Sequence, residues 1–187
     1  RGSLDVLPEA LSGRELQSGS TGMAGHPLVD TFNDLRDELV STLMFLLGNR
    51  DDALDAAQEA FLKCWRTRDS AQDVQNLRAW IFRVAMNTAR DVQRSAWTRR
   101  VKPMAGEDVM FAARDLAPGQ TMEDQEVVDR LRCAIRELRQ DEQEVFLLRQ
   151  NGELTYEQIA EIRQAPVGTV KTQMRTALIK LRKVLNP

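Results

Sequence analysis

Residues 155–185, TYEQIAEIRQAPVGTVKTQMRTALIKLRKVL, contain the strongest local pattern in this chain. Thr155 followed by Gln158 forms a capping box, which predicts the start of a short helix. Pro166 suits the first position of a second, longer helix, where its missing N–H costs nothing. The small Ala160 and the apolar Val170 have the spacing that lets two such helices cross closely. The stretch therefore predicts a helix-turn-helix.

The longer helix of this pair has two unlike faces. The residues predicted to face the core are Val170, Met174, Ala177, Leu178 and Leu181. The opposite, exposed face carries Lys171, Thr172, Arg175 and Thr176, the kind of polar and basic surface that a DNA-recognition helix needs. An ordinary helical hairpin with a solvated basic face is the alternative. Gln164 stands in the turn where Gly is usual, and a left-handed backbone there would cost about 1 kcal/mol.

Three more helices are predicted in the first half of the chain. The first begins at Leu28 and ends at Gly48 and Asn49; its apolar residues are Phe32, Leu35, Leu39, Leu43 and Leu46. The second begins near Asp51, and its apolar stripe comprises Leu54, Ala57, Phe61 and Trp65. The third is capped by Asn76. Short connections between them predict a compact bundle.

The chain is predicted to be all-α, with two small helical domains joined by a flexible linker. Residues 1–27 are rich in Gly, Ser and Pro and should be a disordered N-terminal extension, with Met23 an alternative native start. Residues 28–98 form the first domain, 99–121 the linker and 122–187 the second domain. The second domain contributes two further helices, one from Met122 and one over 141–150. Both open and closed arrangements of the domains are compatible with the sequence.

Charge is distributed unevenly along the chain, although the net charge is only -2. Residues 76–102 hold seven positive residues against Asp91 alone, and residues 163–183 hold six positive residues and no acid. An acidic stretch separates them. Two basic patches with an acidic connector suggest a protein that binds nucleic acid at two places.

Other classes of protein fit the composition poorly. A single histidine, His26, argues against His-based metal sites and catalytic triads, and we expect no metal, no cofactor and no enzymatic activity. Cys64 and Cys133 are far apart and indicate no disulfide framework. No apolar run approaches the ~20 residues of a membrane span, and no signal peptide is visible. We therefore expect a cytoplasmic protein without membrane insertion.

Two groups of motifs resemble one known family. The strings DEQEVFLLRQ, LTYEQIAEI and PVGTVKTQM resemble region four of extracytoplasmic-function (group IV) sigma factors of bacterial RNA polymerase. DALDAAQEAFLKCW and NLRAWIFRVAMNTARDVQRS resemble region two of the same family. The likeness runs from Leu28 to Leu185 without the linker. The chain departs from the family at Arg163-Gln164-Ala165, where Leu-Gly-Val is usual, and at Arg139-Gln140, where a Pro pair is common.

The resemblance implies a transcription initiation factor that binds core RNA polymerase and directs it to promoter DNA. Region two of the family docks on the clamp helices of the largest polymerase subunit and binds the melted minus-ten element. This would assign polymerase contact to Asp55, Gln58, Glu59 and Lys63, for which a plain solvated face is the alternative. It would assign minus-ten contact to Arg83, Asn87, Arg90, Asp91 and Arg94. The loop over 68–75 would form a pocket for a flipped base.

Region four of the family binds the duplex minus-thirty-five element. The residues that this implies for recognition are Lys171, Thr172, Gln173, Arg175 and Thr176. The resemblance also implies an anti-sigma factor as a partner. For Trp80, core packing is favoured over stacking on a base, because it lies on the apolar stripe of its helix. Trp97 fits either role.

Two other functions remain as alternatives. A stand-alone helix-turn-helix regulator, with a helical domain for dimerisation or sensing, would bind palindromic DNA without polymerase. A small helical hydrolase would hold a metal on Asp51, Asp52, Asp55 and Glu59, which a single histidine and the lack of a second acidic helix motif disfavour.

Overall fold

The computed structural model describes residues 25–71, 74–99 and 121–185, apart from a few side chains at the edges of these ranges. These residues form seven α-helices and one 3-10 turn, with no strand among them. The helices are α1 (Pro27–Leu47), α2 (Arg50–Arg66), α3 (Leu77–Arg99), α4 (Met122–Glu137), α5 (Gln140–Gln150), α6 (Tyr156–Arg163) and α7 (Val167–Leu185), and the 3-10 turn is Arg68–Ala71. The all-α prediction is confirmed. Residues 1–24 of the predicted N-terminal extension and almost all of the predicted linker lie outside the described residues, and Pro27, the last residue of that extension, belongs to α1.

The ends of α1 follow from local chemistry. Pro27 is its first residue, and the Leu28 N–H donates to Nδ1 of His26 at 3.1 Å. Gly48 ends the helix with φ 81°, and its N–H donates to the Met44 carbonyl at 3.0 Å. A left-handed backbone at this position favours glycine, so the predicted stop is confirmed.

Helices α1, α2 and α3 pack together as the predicted bundle. The face of α2 that is buried most deeply differs from the predicted stripe, since it carries Ala53, Ala56, Ala60 and Cys64. Phe61 and Trp65 pack at the edge of the core and are only partly buried. Small side chains at the centre let α2 approach its neighbours closely, and Phe61 and Trp65 pack at the edges of this contact.

Helices α4 to α7 form the second unit, in which α7 packs against α4, α5 and α6. Both bonds of the predicted capping box are present: Gln158 N–H donates to Thr155 Oγ1 at 3.2 Å, and Thr155 N–H donates to Gln158 Oε1 at 2.9 Å. Gln164 has φ 51° and ψ 43°, the left-handed conformation that the turn required. Ala160 and Val170 are both buried at the crossing. The helix-turn-helix is confirmed.

The two units are packed against each other. One buried apolar cluster runs from the α1–α3 bundle into α5, α6 and α7, and Phe45 and Leu46 of α1 pack against a second cluster centred on α4, α5 and α7. Hydrogen bonds cross the same boundary from Arg78 Nη1 to the Gly152 carbonyl at 3.2 Å and from Asn151 Nδ2 to Thr42 Oγ1 at 3.1 Å. The arrangement of the domains is therefore closed.

Candidate nucleic-acid and protein interfaces

The outer face of α7 carries Lys171, Thr172 and Arg175, all exposed, with Thr176 half-buried beside them. Thr172 Oγ1 donates to the Gly168 carbonyl and Thr176 Oγ1 donates to the Thr172 carbonyl, each at 3.0 Å. Because both hydroxyl protons are used within the helix, these threonines have only acceptor lone pairs and methyl groups left for a ligand. Lys171 and Arg175 are the donors of this face.

Gln173 differs from the other predicted recognition residues. Its side chain is half-buried; Oε1 accepts a hydrogen bond from Arg163 Nη1, and Nε2 donates to Asp141 Oδ2 at 3.0 Å. Both ends of the amide are therefore used inside the protein. This placement argues against direct base contact by Gln173, which instead ties α7 to α5 and α6.

Two cations of the C-terminal basic patch are neutralised within the protein. Lys180 Nζ lies 2.7 Å from Oε2 of Glu142, whose side chain is 4% exposed. Arg163 Nε lies 3.0 Å from Oε2 of Glu144, whose side chain is 6% exposed. The positive surface available for phosphate is thus smaller than the sequence suggested.

The outer face of α3 places Arg83, Asn87, Arg90 and Arg94 along one line, at spacings of four, three and four residues. Arg83, Asn87 and Arg94 are exposed. Arg90 is half-buried and donates through Nη2 to Glu144 Oε2 at 3.3 Å and through Nη1 to Asn87 Oδ1 at 3.2 Å. Four of the five predicted minus-ten residues are therefore neighbours on one surface.

Asp91, the fifth of these residues, faces α2. Its Oδ2 lies 3.7 Å from Lys63 Nζ, which also donates to Thr88 Oγ1 at 3.2 Å. Lys63 is thereby directed towards α3. Its predicted contact with polymerase, together with Asp55, Gln58 and Glu59, stays a prediction.

A cavity of about 260 Å³ opens between the start of α1, the 3-10 turn and the start of α3. Its walls include His26, Arg68, Val74, Leu77 and Trp80. The Arg68 guanidinium lies 4.3 Å from the centroid of the Trp65 ring, and its Nη1 donates to the Trp65 carbonyl at 2.8 Å. Arg68 and Val74 belong to the loop over 68–75 that was predicted to form the base pocket. Residues 72 and 73 of that loop lie outside the described residues.

Trp80 is half-buried and packs against the first apolar cluster, as the core-packing interpretation required. It also borders a crevice of about 170 Å³ together with Arg83 and with Gln158 and Ile162 of α6. The side chain of Trp97 lies outside the described residues.

The outer face of α2 presents Asp55 and Gln58, both exposed, and Glu59, half-buried. Leu62 shares this face and is 37% exposed. Leu62 was not predicted as a site residue, although its spacing of seven residues from Asp55 and three from Glu59 places it on the same face of the helix. An apolar residue surrounded by polar and acidic ones is typical of the centre of a protein interface.

Burial raises the pKa of the Cys64 thiol to about 12, whereas Cys133 is exposed. Within residues 25–71, 74–99 and 121–185, no group of three or more His, Cys, Asp or Glu side chains is arranged to hold a metal ion. No helix in the described ranges combines the length and the apolarity needed to cross a bilayer.

Comparison with known proteins gives matches to both halves of the chain. The model of sigma-70 region 2 matches residues 31–99, and that of sigma-70, region 4 matches residues 129–181. The ECF RNA polymerase sigma factor EcfG of Rhodopseudomonas palustris is 31% identical over 167 residues, covering 85% of this chain and 87% of that protein. The ECF RNA polymerase sigma factor SigW of Bacillus subtilis is 30% identical over 172 residues, covering 83% and 89% respectively.

Two solved structures share the fold. The sigma factor RpoE, in complex with the anti-sigma factor NepR from Bartonella quintana, superposes with a TM-score of 0.64 at 21% identity, over 83% of this chain and 94% of that one. CnrH, in complex with the cytosolic domain of CnrY, gives a TM-score of 0.60 at 18% identity, over 89% and 94%.

Proposed function

Because this chain belongs to the extracytoplasmic-function sigma factors of the sigma-70 family and directs RNA polymerase to promoters, we propose which of its surfaces bind polymerase and which bind promoter DNA. Matches to regions 2 and 4, with residues 100–128 between them unmatched, support a group IV member. The protein acts in the cytoplasm as an initiation factor and catalyses no reaction itself. A stand-alone helix-turn-helix regulator is not favoured, because the bundle that would dimerise or sense a ligand matches sigma region 2.

Polymerase docking is assigned to the outer face of α2, with Leu62 at its centre and Asp55, Gln58 and Glu59 around it. An acidic and polar face complements a basic partner helix, which fits the clamp helices of the largest polymerase subunit. Burial of Leu62 adds an apolar contact at the centre, where interface residues contribute most. Lys63 lies beside this face, four residues after Glu59, and links α2 to α3.

Binding of the melted minus-ten element is assigned to the line of Arg83, Asn87, Arg90 and Arg94 on α3. Arginines at this spacing can follow a phosphate backbone, and Asn87 can bond a base edge. The cavity beside Arg68 lies next to this helix and offers a place for an unstacked base. Asp91 has an indirect role, since it pairs with Lys63.

Binding of the duplex minus-thirty-five element is assigned to Lys171, Thr172, Arg175 and Thr176 on α7. Arg175 and Lys171 supply donors for guanine edges or phosphates, and the threonine methyl groups can contact thymine. Gln173 contributes by holding α7 in place. The observation that carries the proposal is this pair of nucleic-acid faces on two separately matched domains.

Both structural neighbours were solved with a bound protein, one of them named as an anti-sigma factor. We extend this to the present chain and propose that an anti-sigma factor binds it in competition with polymerase. Core polymerase added to a purified complex of the two should then displace the anti-sigma factor.

The assignments are tested by substitutions that separate the two domains. Asp55→Lys with Glu59→Lys should weaken pull-down of core polymerase at least tenfold, because it removes the charge complementarity of the docking face. The control, Asp34→Lys with Asp37→Lys, makes the same change of charge on exposed residues of α1 and should leave pull-down unchanged.

Arg175→Ala should leave polymerase binding intact and lower run-off transcription on promoters with a matched upstream element. One base contact contributes about 1–3 kcal/mol of discrimination, which corresponds to roughly 5- to 150-fold. Arg182→Ala, near the end of α7, is the matched control. Loss of polymerase binding in Arg175→Ala, with promoter preference unchanged, would show that α7 does not recognise the promoter.

A further inference from the structure

Glu144 holds together three helices from both domains through one carboxylate. Its side chain is 6% exposed, and Oε2 accepts from Arg163 Nε at 3.0 Å and from Arg90 Nη2 at 3.3 Å. Arg163 belongs to α6 of the second domain, whereas Arg90 belongs to α3 of the first. A buried carboxylate with two guanidinium partners is a strong contact only while both remain in place.

The rest of the boundary between the domains has apolar and polar parts. The first buried apolar cluster crosses it, and Phe45 and Leu46 pack against the second cluster. The other contacts are hydrogen bonds between polar groups that water could satisfy equally well. These are the bonds from Arg78 to the Gly152 carbonyl, from Asn151 to Thr42 and, at 3.4 Å, from Gln140 Nε2 to Gln93 Oε1. The crevice of about 170 Å³ beside Trp80 and Ile162 shows that packing is incomplete here.

In the closed arrangement, α3 and α7 cannot contact the minus-ten and minus-thirty-five elements at the same time. The two elements, at positions minus ten and minus thirty-five, are about 25 base pairs apart, which is about 85 Å along duplex DNA at about 3.4 Å per pair. Folded into one compact body, the residues that the structure describes have a radius of gyration of about 14 Å and hence a diameter of about 40 Å. The domains must therefore separate before α3 and α7 can both reach DNA.

We propose that Glu144 is an interdomain clasp, which holds the free protein closed and masks Arg90, a residue of the minus-ten face. The proposal rests on the function assigned to α3. Arg90 cannot bind a phosphate while it pairs with Glu144, so the clasp lowers promoter binding by the free protein. Polymerase opens the clasp when it holds the two domains apart.

The alternative is that Glu144 serves only the second domain, through Arg163. The two roles separate in a cycle of Glu144→Gln, Arg90→Gln and the double variant. A clasp predicts that each single change opens the protein and that the double change opens it no further, because both remove the same contact. A role inside the second domain predicts that Arg90→Gln has no effect on opening.

Opening can be measured by single-molecule energy transfer in the full chain. Cys133 is exposed and Cys64 is buried, so Cys133 and a cysteine introduced by Asp37→Cys, on the exposed face of α1, accept the two dyes. We expect about a tenfold higher ratio of open to closed molecules in Glu144→Gln, the factor that loss of one charge-assisted hydrogen bond produces. Arg90→Gln should match it.

Glu142→Gln is the matched control, because Glu142 is an equally buried carboxylate whose partner, Lys180, lies in the same domain. It should leave the ratio of open to closed molecules unchanged, and circular dichroism should show all variants folded. An unchanged ratio in folded Glu144→Gln, or equal opening in Glu142→Gln, would overturn the clasp. Run-off transcription by the unsubstituted protein tests the proposed function separately, since a failure there leaves the energy-transfer result standing.

Discussion

Gly152→Ala should destabilise the protein at the junction that joins the two domains. Gly152 is buried in the turn after α5, and its carbonyl accepts the hydrogen bond from Arg78 of α3. A Cβ added there would lie 2.5 Å from the Leu148 carbonyl oxygen and 3.1 Å from Cγ of Leu154. Real Cβ contacts essentially never fall below 3.0 Å, so the backbone must move.

The backbone oxygen cannot move without loss, because it accepts the Leu154 N–H at 3.3 Å. Overpacking of this kind costs about 1–3 kcal/mol, from which about 0.4–1 kcal/mol is offset by the lower entropy of alanine in the unfolded chain. The net free energy of unfolding should fall by about 1–2 kcal/mol. For a chain of this length, Tm should then fall by about 2–8 °C.

Thermal melts followed by circular dichroism measure this change, with Gly168→Ala as the matched control. Gly168 lies in the first turn of α7, where an added Cβ meets nothing within 4 Å. Alanine there should raise the free energy of unfolding by up to about 1 kcal/mol. If both variants shift Tm by the same amount and in the same direction, the steric argument at Gly152 is wrong.

Gln164→Gly should leave Tm equal or raise it slightly, because the left-handed backbone at φ 51° costs a non-glycine residue about 1 kcal/mol; Gln164→Ala, which keeps the strain, should show no such gain. A loss of more than about 1 kcal/mol in Gln164→Gly would contradict this. Iodoacetamide at pH 8 should modify one cysteine per folded chain and two per unfolded chain, since burial raises the pKa of Cys64 to about 12 while Cys133 is exposed. Mass spectrometry counts the modified cysteines, and modification of Cys64 in the folded chain would refute this prediction. Hydrogen bonds from the Thr121 backbone and hydroxyl lower the pKa of Asp124. The charged carboxylate should therefore stabilise the folded chain above pH ~4, and this contribution should be lost at lower pH as the carboxylate protonates. Thr121→Ala should raise that pKa in an NMR titration, and an unchanged value would exclude the hydroxyl as a cause.

The parts of the fold that depend on neighbouring residues could be predicted from the sequence. The stop at Gly48, the cap at Asn76 and the capping box of Thr155 and Gln158 each need only three or four residues to form. Such signals involve a backbone donor or acceptor that has no other partner nearby.

Features that depend on the size or distance of the partner could not be predicted in the same way. Helical spacing placed Phe61 and Trp65 towards the core, but close packing placed Ala56 and Ala60 at its centre instead. Gln173 has the spacing of a recognition residue, and only the positions of Arg163 and Asp141 show that its amide is already bonded. The contact of Arg90 with Glu144 joins residues that are 54 positions apart, beyond the reach of any local pattern.

The buried carboxylates in the first turn of α5 explain why fewer cations are available to DNA than the charge count along the sequence suggested. Three consecutive polar residues, Glu142, Gln143 and Glu144, are buried there, and each bonds a different helix. Gln143 Nε2 donates to the Ile135 carbonyl of α4 at 3.0 Å, Glu142 pairs with Lys180 of α7, and Glu144 pairs with α6 and α3. Since buried carboxylates require partners, cations of both basic patches are used to hold the fold. Exposed cations that no buried carboxylate holds, such as Arg83, Lys171 and Arg175, are the ones that we assign to DNA. Under the proposed clasp, Arg90 joins them only when the domains separate.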